Sequence, residues 1–288
     1  PPSSDSLDPP MGGASFVPMP GQYATAVATV LALALAFALL ERLRPAEPGQ
    51  PARRWLFNLG YTPFILAFVF LLGPLAAPFY AAVLERTGGG LLPVFVDQDS
   101  SFAGHAVFAL AYAFAWDLAQ YALHRLQHAV PALWETHRFH HDESAVSAVA
   151  QARVHPTSYV LALLFHLPVL ILFGPQAPHF AAAFLMFTLW GFVNHANLRV
   201  GFGPLTPAIA GPQWHRIHHS LRPEHRDRNL AVLFPVIDRM FGTYYRPGKS
   251  EYPPTGLEGI RVGSLRAATV EPFLGWARMM IGRAPRAA

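Results

Sequence analysis

Residues 102–141 read FAGHAVFALAYAFAWDLAQYALHRLQHAVPALWETHRFHH. The first part, 102–123, is apolar and is long enough to cross a bilayer core as an α-helix, which takes about 20 residues. It is followed at once by a pair of histidines and, after a proline, by three more. This order predicts a membrane helix whose end carries metal-binding imidazoles at the membrane surface.

The composition of the whole chain agrees with a membrane protein. Hydrophobic residues make up 52% of the 288 positions and charged residues only 13%, whereas a typical soluble domain has about 25% charged residues. This balance excludes an intrinsically disordered chain and disfavours an ordinary soluble enzyme. The absence of cysteine excludes disulfides, iron–sulfur clusters and cysteine-bound zinc. We predict an all-α fold, a polytopic membrane helix bundle with a cytoplasmic, histidine-rich cap that holds two metal ions.

Four further apolar runs are expected to be helices in or near the membrane, namely 23–40, 59–84, 158–173 and 180–193. The last two, separated by a Pro-rich turn, form a predicted helical hairpin. Pro63 and the pair Gly73-Pro74 are expected either to kink the second run or to split it into a hairpin. Two shorter stretches, 234–241 and 272–281, are expected to be interfacial helices.

These runs suggest four regions. We expect a disordered tail at 1–20, N-terminal transmembrane helices at 21–100, a catalytic region at 101–246 and a C-terminal tail with an interfacial helix at 247–288. Arginines in the loop 41–55 predict that this loop is cytoplasmic. If the second run crosses once, every histidine cluster then lies on the cytoplasmic face, and we expect a multi-pass protein of a bacterial inner membrane rather than of the endoplasmic reticulum. The arginines are assigned to lipid head groups and not to nucleic acid.

Nine histidines are the expected metal ligands. They occur as an HxxxH pair, two HxxHH triplets and one histidine in the sequence Asn-His-Ala-Asn. Residues at i, i+3 and i+4 share one helix face, so each cluster points its imidazoles at one spot. Nine imidazoles suit two metal ions with open positions, and their spacing alone does not choose among iron, zinc, copper and nickel. The nine are His124, His128, His137, His140, His141, His195, His215, His218 and His219.

Metal-bound imidazoles need partners that orient them. Asp117 lies two helical turns before the HxxxH pair and would share its face. Asn194, Asn197 and Asp227 are close in sequence to the other expected ligands, and His155 is expected to support a ligand or to face the substrate. No catalytic residue beyond the ligands is predicted.

The motifs together resemble the fatty acid hydroxylase/sterol desaturase superfamily of membrane di-iron enzymes, over about residues 50–246. The resemblance rests on the order HxxxH, HxxHH, Asn-His-Ala-Asn, HxxHH, and on flanking motifs such as Arg-Val-His-Pro at 153–156. It implies that the nine histidines bind two irons at the cytoplasmic face. It also implies O2-dependent hydroxylation or desaturation of a lipid such as a sterol or a fatty acyl chain. Many relatives have a further histidine where this chain has Gly191, which implies a ligand that is missing or replaced by water or Asn194.

Electrons for such a reaction must come from outside the chain, because no dinucleotide-binding Gly-x-Gly-x-x-Gly follows a predicted strand. A ferredoxin or a cytochrome b5-like protein with its reductase is the expected donor. Two other classes stay open. One is a non-enzymatic membrane haem or metal carrier, against which the adjacent His-His pairs argue. The other is a zinc-dependent membrane hydrolase, against which the lack of a His-Glu-x-x-His motif argues.

Overall fold

The predicted all-α fold is confirmed by the structure, a computed structural model that describes residues 20–88, 90–92, 101–174, 177–257 and 264–282. No strand occurs among these residues. The predicted tail at 1–20 lies outside them except for Pro20. The α-helices are α1 (Pro20–Leu43), α2 (Ala52–Arg86), α3 (Phe102–Ala129), α4 (Pro131–His141), α5 (Pro156–Phe173), α6 (Ala177–His195), α7 (Pro212–His218), α8 (Pro235–Phe241), α9 (Leu265–Thr269) and α10 (Glu271–Met280).

Four of these helices have the length and apolar composition needed to cross a membrane: Gly21–Leu43, Ala52–Arg86, Phe102–Ala129 and Pro156–Phe173. Their outer faces are largely uncovered by protein. Leu71 and Leu75 of α2, for example, are 71% and 78% exposed. A contiguous apolar surface of this kind is stable only against another apolar phase, and lipid provides it. The prediction of an integral membrane protein is therefore supported by both composition and packing.

The second apolar run forms one continuous helix, so the alternative of a hairpin at Gly73-Pro74 is wrong. The 35 residues of α2 extend over roughly 52 Å, well beyond a bilayer core of about 30 Å. The buried residues of α2 all lie in its first half, between Asn58 and Ile65. The first turns of α2 thus pack into the cap, and the remainder is long enough to cross the membrane.

Helices α5 and α6 leave the cap and return to it, as the expected hairpin requires, and both pack against α3. Gly174 ends α5 with a φ of 69°, a left-handed conformation that glycine adopts without steric cost. The chain returns through α6, which ends at His195. Helix α3 extends to Ala129, past the predicted end of its apolar run. Its last turns are polar, and one side of them packs against the cap, which is built from α4, α7, α8 and the loops between them.

Candidate metal centre

The three histidine clusters, carried by α3, α4 and α7, meet in the cap. Pro131 begins α4 directly after α3, so the chain turns between the first two clusters without a long loop. Helix α7 brings the third cluster against both. The ring centroids of His124 and His218 are 4.5 Å apart, and those of His140 and His219 are 4.7 Å apart. Clusters that are up to about a hundred positions apart in the sequence therefore share one site.

Their ligand atoms form two adjacent groups, and within each group these atoms lie within 4.8 Å of one another. The five-histidine group is His124, His128, His137, His141 and His218. The four-histidine group is His140, His195, His215 and His219. The two groups are in contact, since the rings of His141 and His219 stack with centroids 4.5 Å apart.

Several imidazoles face one another through their Nε2 atoms. The Nε2–Nε2 distance is 3.1 Å between His140 and His195 and 3.0 Å between His195 and His215. The same distance is 3.1 Å between His137 and His141. Two nitrogens bound to one metal at about 2.1 Å and at right angles would be about 3.0 Å apart. These spacings therefore match neighbouring positions around a single ion.

The outer nitrogens of His140 and His195 explain why no hydrogen bond joins these two rings. His140 Nδ1 donates to the carbonyl oxygen of Arg153 (3.2 Å), and His195 Nδ1 donates to that of Gly191 (2.8 Å). A carbonyl only accepts, so each neutral ring carries its proton on Nδ1 and a lone pair on Nε2. Two lone pairs that face each other at 3.1 Å repel unless a cation lies beside both. The Nε2 atoms of His140 and His195 are therefore arranged as two ligands of one metal ion.

The five-histidine group shows the same orientation. His124 Nδ1 donates to Leu230 O (2.8 Å) and His218 Nδ1 to Arg228 O (2.9 Å), while His128 Nδ1 lies 3.0 Å from Asp227 Oδ1. The Nε2 atoms of these three histidines are buried and have no hydrogen-bond partner among the described residues. Buried polar atoms are rarely left unsatisfied, and a metal ion would satisfy all three.

Burial also disfavours the protonated form of five of these histidines. Loss of hydration lowers the pKa of His140 and His141 well below the usual value of 6.5. The same cause lowers the pKa of His215, His218 and His219 well below that value. A protonated imidazole cannot bind a metal, so these shifts keep the lone pairs available at neutral pH.

Asp227, one of the polar residues expected to support the ligands, directly contacts the ligand His128. The hydrogen bond from His128 lowers the pKa of Asp227, so this carboxylate stays ionised. Asp227 and Asn229 both adopt left-handed backbone conformations, with φ of 57° and 60°, which Asp and Asn tolerate better than most residues. The tight turn brings the carboxylate of Asp227 to the ring of His128 while its side chain stays 57% exposed.

We predict that Asp227→Ala weakens metal binding by about 10–100-fold, the usual effect of removing a partner of a ligating histidine. Titration of the metal-free protein with Fe(II) measures the change. Because the side chain is mostly exposed, folding is expected to be unaffected. Glu224→Ala, which removes an exposed acid three residues away, is the control. Equal affinities of the two variants would contradict the assigned contact.

Asp117 supports a ligand through the backbone and not by touching a histidine. Its two carboxylate oxygens accept the N–H groups of residues 232, 233 and 234 at 2.7–2.9 Å. Asp238 accepts the N–H groups of Leu230 (2.7 Å) and Ala231 (3.0 Å) in the same loop. Together these two acids fix the loop whose Leu230 carbonyl orients His124. Asp238 is not among the residues that the sequence predicts to support a ligand.

The other three expected residues lie outside both groups. Asn194 Nδ2 donates to Val232 O at 2.7 Å, so this amide faces the loop that Asp117 holds. Asn197 pairs with Glu47, through its Nδ2 and the Glu47 carbonyl and through its Oδ1 and the Glu47 N–H. His155 caps α5 through Thr157 and lies against α10.

A buried arginine was also missed as a positioning residue. Arg153 is fully buried, and its carbonyl accepts from His140 while its Nε donates to the Phe139 carbonyl at 3.2 Å. Its guanidinium also lies 3.6 Å from Asp142 and 3.5 Å from Glu143. Arg153 therefore fixes the end of the ligand helix α4. Arg-Val-His-Pro contributed to the resemblance, but the sequence does not reveal that Arg153 is the member of this motif that contacts a ligand.

The space beside Gly191 is filled by another side chain. A Cβ atom at Gly191 would collide with the Oε1 atom of Gln151. The carbonyl of Gly191 accepts from His195. A histidine at this position would therefore require Gln151 to move, and the four-histidine group is built without it.

The comparisons with known proteins agree with this site. Residues 109–243, which include all nine histidines, match the family model described as fatty acid hydroxylase. The chain is 31% identical over 128 residues to alkylglycerol monooxygenase of Danio rerio, covering 44% of this chain and 28% of the relative. It is 26% identical over 167 residues to ornithine lipid hydroxylase OlsE of Rhizobium tropici, covering 58% and 50%. The match therefore spans half or less of the length of these relatives. No solved structure matches the chain significantly.

Proposed function

Because residues 109–243 match the fatty acid hydroxylase family model, we propose that the chain belongs to that family and is a membrane di-iron oxygenase that hydroxylates a lipid. The observation that carries this proposal is the convergence of nine imidazoles into two groups whose lone pairs face inward. The nine histidines are the proposed ligands, five for one iron and four for the other. The proposed catalytic region is 101–246.

Iron is preferred to zinc because of the reaction that the relatives' names describe. Unactivated C–H bonds are inert to acid–base chemistry, and bound iron supplies the activation of O2 that their hydroxylation requires. The donor set alone, all imidazole, accepts either metal. The chain's own contribution is to hold the ligands neutral, correctly rotated and shielded from water.

The two histidine groups differ in burial, and this difference suggests that the lipid and the electron donor approach different groups. All members of the four-histidine group are buried, whereas His124 and His128 of the five-histidine group are partly exposed. We propose that the lipid reacts beside the four-histidine group, which has fewer protein ligands and is protected from water. An external electron donor, a ferredoxin or a cytochrome b5-like protein, would approach from the side of His128 and Asp227.

The membrane-length helices suggest how the substrate arrives. The uncovered apolar faces of α1, α2, α3 and α5 let a lipid diffuse to the site within the bilayer, without transfer through water. The relatives named for alkylglycerol and ornithine lipid make lipids with a polar head group the first substrates to test. We also propose that the cap faces the cytoplasm, because the arginines of the loop 41–55 favour that side.

Lipid mass spectrometry of cells that express the chain tests this function. We expect a lipid whose mass increases by one oxygen atom, dependent on O2 and absent from cells that express the His140→Ala variant. A product lighter by two hydrogens would indicate desaturation instead. The same measurement can be made on membranes supplied with the iron-loaded protein, O2 and a reductant. A lipid profile that stays unchanged there would contradict the proposal.

A further inference from the structure

A cavity of about 470 Å³ lies where α1 ends and α2 begins, within the range of about 300–1,000 Å³ typical of ligand pockets. Its apolar wall includes Leu35 and Leu39 of α1 and Trp55 and Leu56 of α2. Leu35 and Leu39 are 60% and 54% exposed, so this wall continues into the lipid-facing surface. None of the nine histidines lines the cavity.

The polar edge of the cavity carries one unpaired charge. Glu47 is paired with Arg216 at 2.7 Å, and one oxygen of Glu41 accepts the N–H groups of Ala148 and Asn197, each at 2.8 Å. Both acids are thus used within the protein. Arg42 is exposed and has no hydrogen bond or ion pair within the described part of the chain. The charge that the cavity offers to a ligand is therefore positive.

The depth of Arg42 in the membrane matches a lipid head group. It lies in the last turn of α1, a helix of membrane-spanning length. Arginine at the end of a membrane-spanning helix lies at the level of the phosphates. The apolar wall is complementary to the acyl chains of a phospholipid, and the arginine is complementary to its phosphate group.

We infer that this cavity binds one anionic phospholipid of the surrounding leaflet, with its phosphate at Arg42 and an acyl chain along Leu35 and Leu39. The site is separate from the proposed reaction site, but the protein connects the two. Glu41, which lines the cavity, holds the backbone of Asn197, two residues after His195. The bound lipid would contact the segment that supports the four-histidine group.

Trp55 reports on the cavity, because brominated lipids quench tryptophan fluorescence on contact. The metal-free protein is reconstituted into vesicles of brominated phosphatidylglycerol or brominated phosphatidylcholine. The signal of Trp55 is obtained as the difference from Trp55→Phe. We expect phosphatidylglycerol to be preferred at Trp55, and Arg42→Ala to reduce that preference about fivefold, the effect of one arginine near an anionic lipid.

Arg86→Ala is the matched control, since it removes an exposed arginine at the other end of α2. It should leave the preference at Trp55 unchanged. Equal quenching by the two lipids, or an equal loss in both arginine variants, would overturn the inference. Because the metal-free protein is used, the result does not depend on the proposed catalytic function.

Discussion

Replacing His140 with alanine is expected to leave one iron ion per chain instead of two and to reduce lipid hydroxylation by more than about 100-fold. Removing a residue that only supports a ligand already costs up to about 100-fold, and His140 is one of only four histidines in its group. Iron analysis of the purified protein and turnover in reconstituted membranes measure the two effects.

His105→Ala is the control for this variant. His105 lies on the same helix as His124 and His128 but near its beginning, roughly 28 Å from His124 and farther from His128. It should keep two irons and full turnover. Loss of iron from both variants alike, or full iron in His140→Ala, would contradict the ligand assignment.

Arg153→Met is expected to give the largest loss of stability, lowering the free energy of unfolding by about 3–5 kcal/mol. The guanidinium is fully buried and lies near Asp142 and Glu143, so its removal takes a buried counter-charge from both carboxylates and leaves Glu143 with Arg54 at 3.7 Å. Methionine preserves much of the volume, and Arg266→Met, at an exposed position, controls for loss of an arginine. Denaturant unfolding in detergent measures the difference.

A second change distinguishes charge from packing as the cause. If the carboxylates left behind are responsible, adding Glu143→Gln to Arg153→Met should recover part of the lost stability. If the double variant is as unstable as the sum of the two single changes, the loss comes from packing against Phe139, whose ring lies 4.4 Å from the guanidinium.

The features that the sequence predicts well are those with local causes. Apolar runs of membrane length and histidines at i, i+3 and i+4 are properties of single helices. They therefore predict α1, α3, α5 and α6 and the ligand clusters without knowledge of the fold. The resemblance to a family, which rests on the order of these clusters, added the expectation that the metal is iron.

The features that the sequence predicts poorly depend on contacts between residues that are distant along the chain. Asp117 shares a face with His124, which suggested a direct contact, but its carboxylate is taken by the N–H groups of a loop 115 to 117 positions later. Arg153 likewise holds the end of α4 through the Phe139 carbonyl. Gln151 fills the space beside Gly191 of α6. The continuity of α2 was equally undecidable, because proline and glycine within a membrane helix allow either a turn or an unbroken helix.

Mössbauer spectroscopy of the protein purified from cells grown with 57Fe tests the central claim most directly. Nine imidazoles that converge on two adjacent groups predict two irons per chain that lie close enough to couple magnetically. A single iron per chain, two uncoupled irons, or a haem signature would contradict the assignment of these histidines to a di-iron centre.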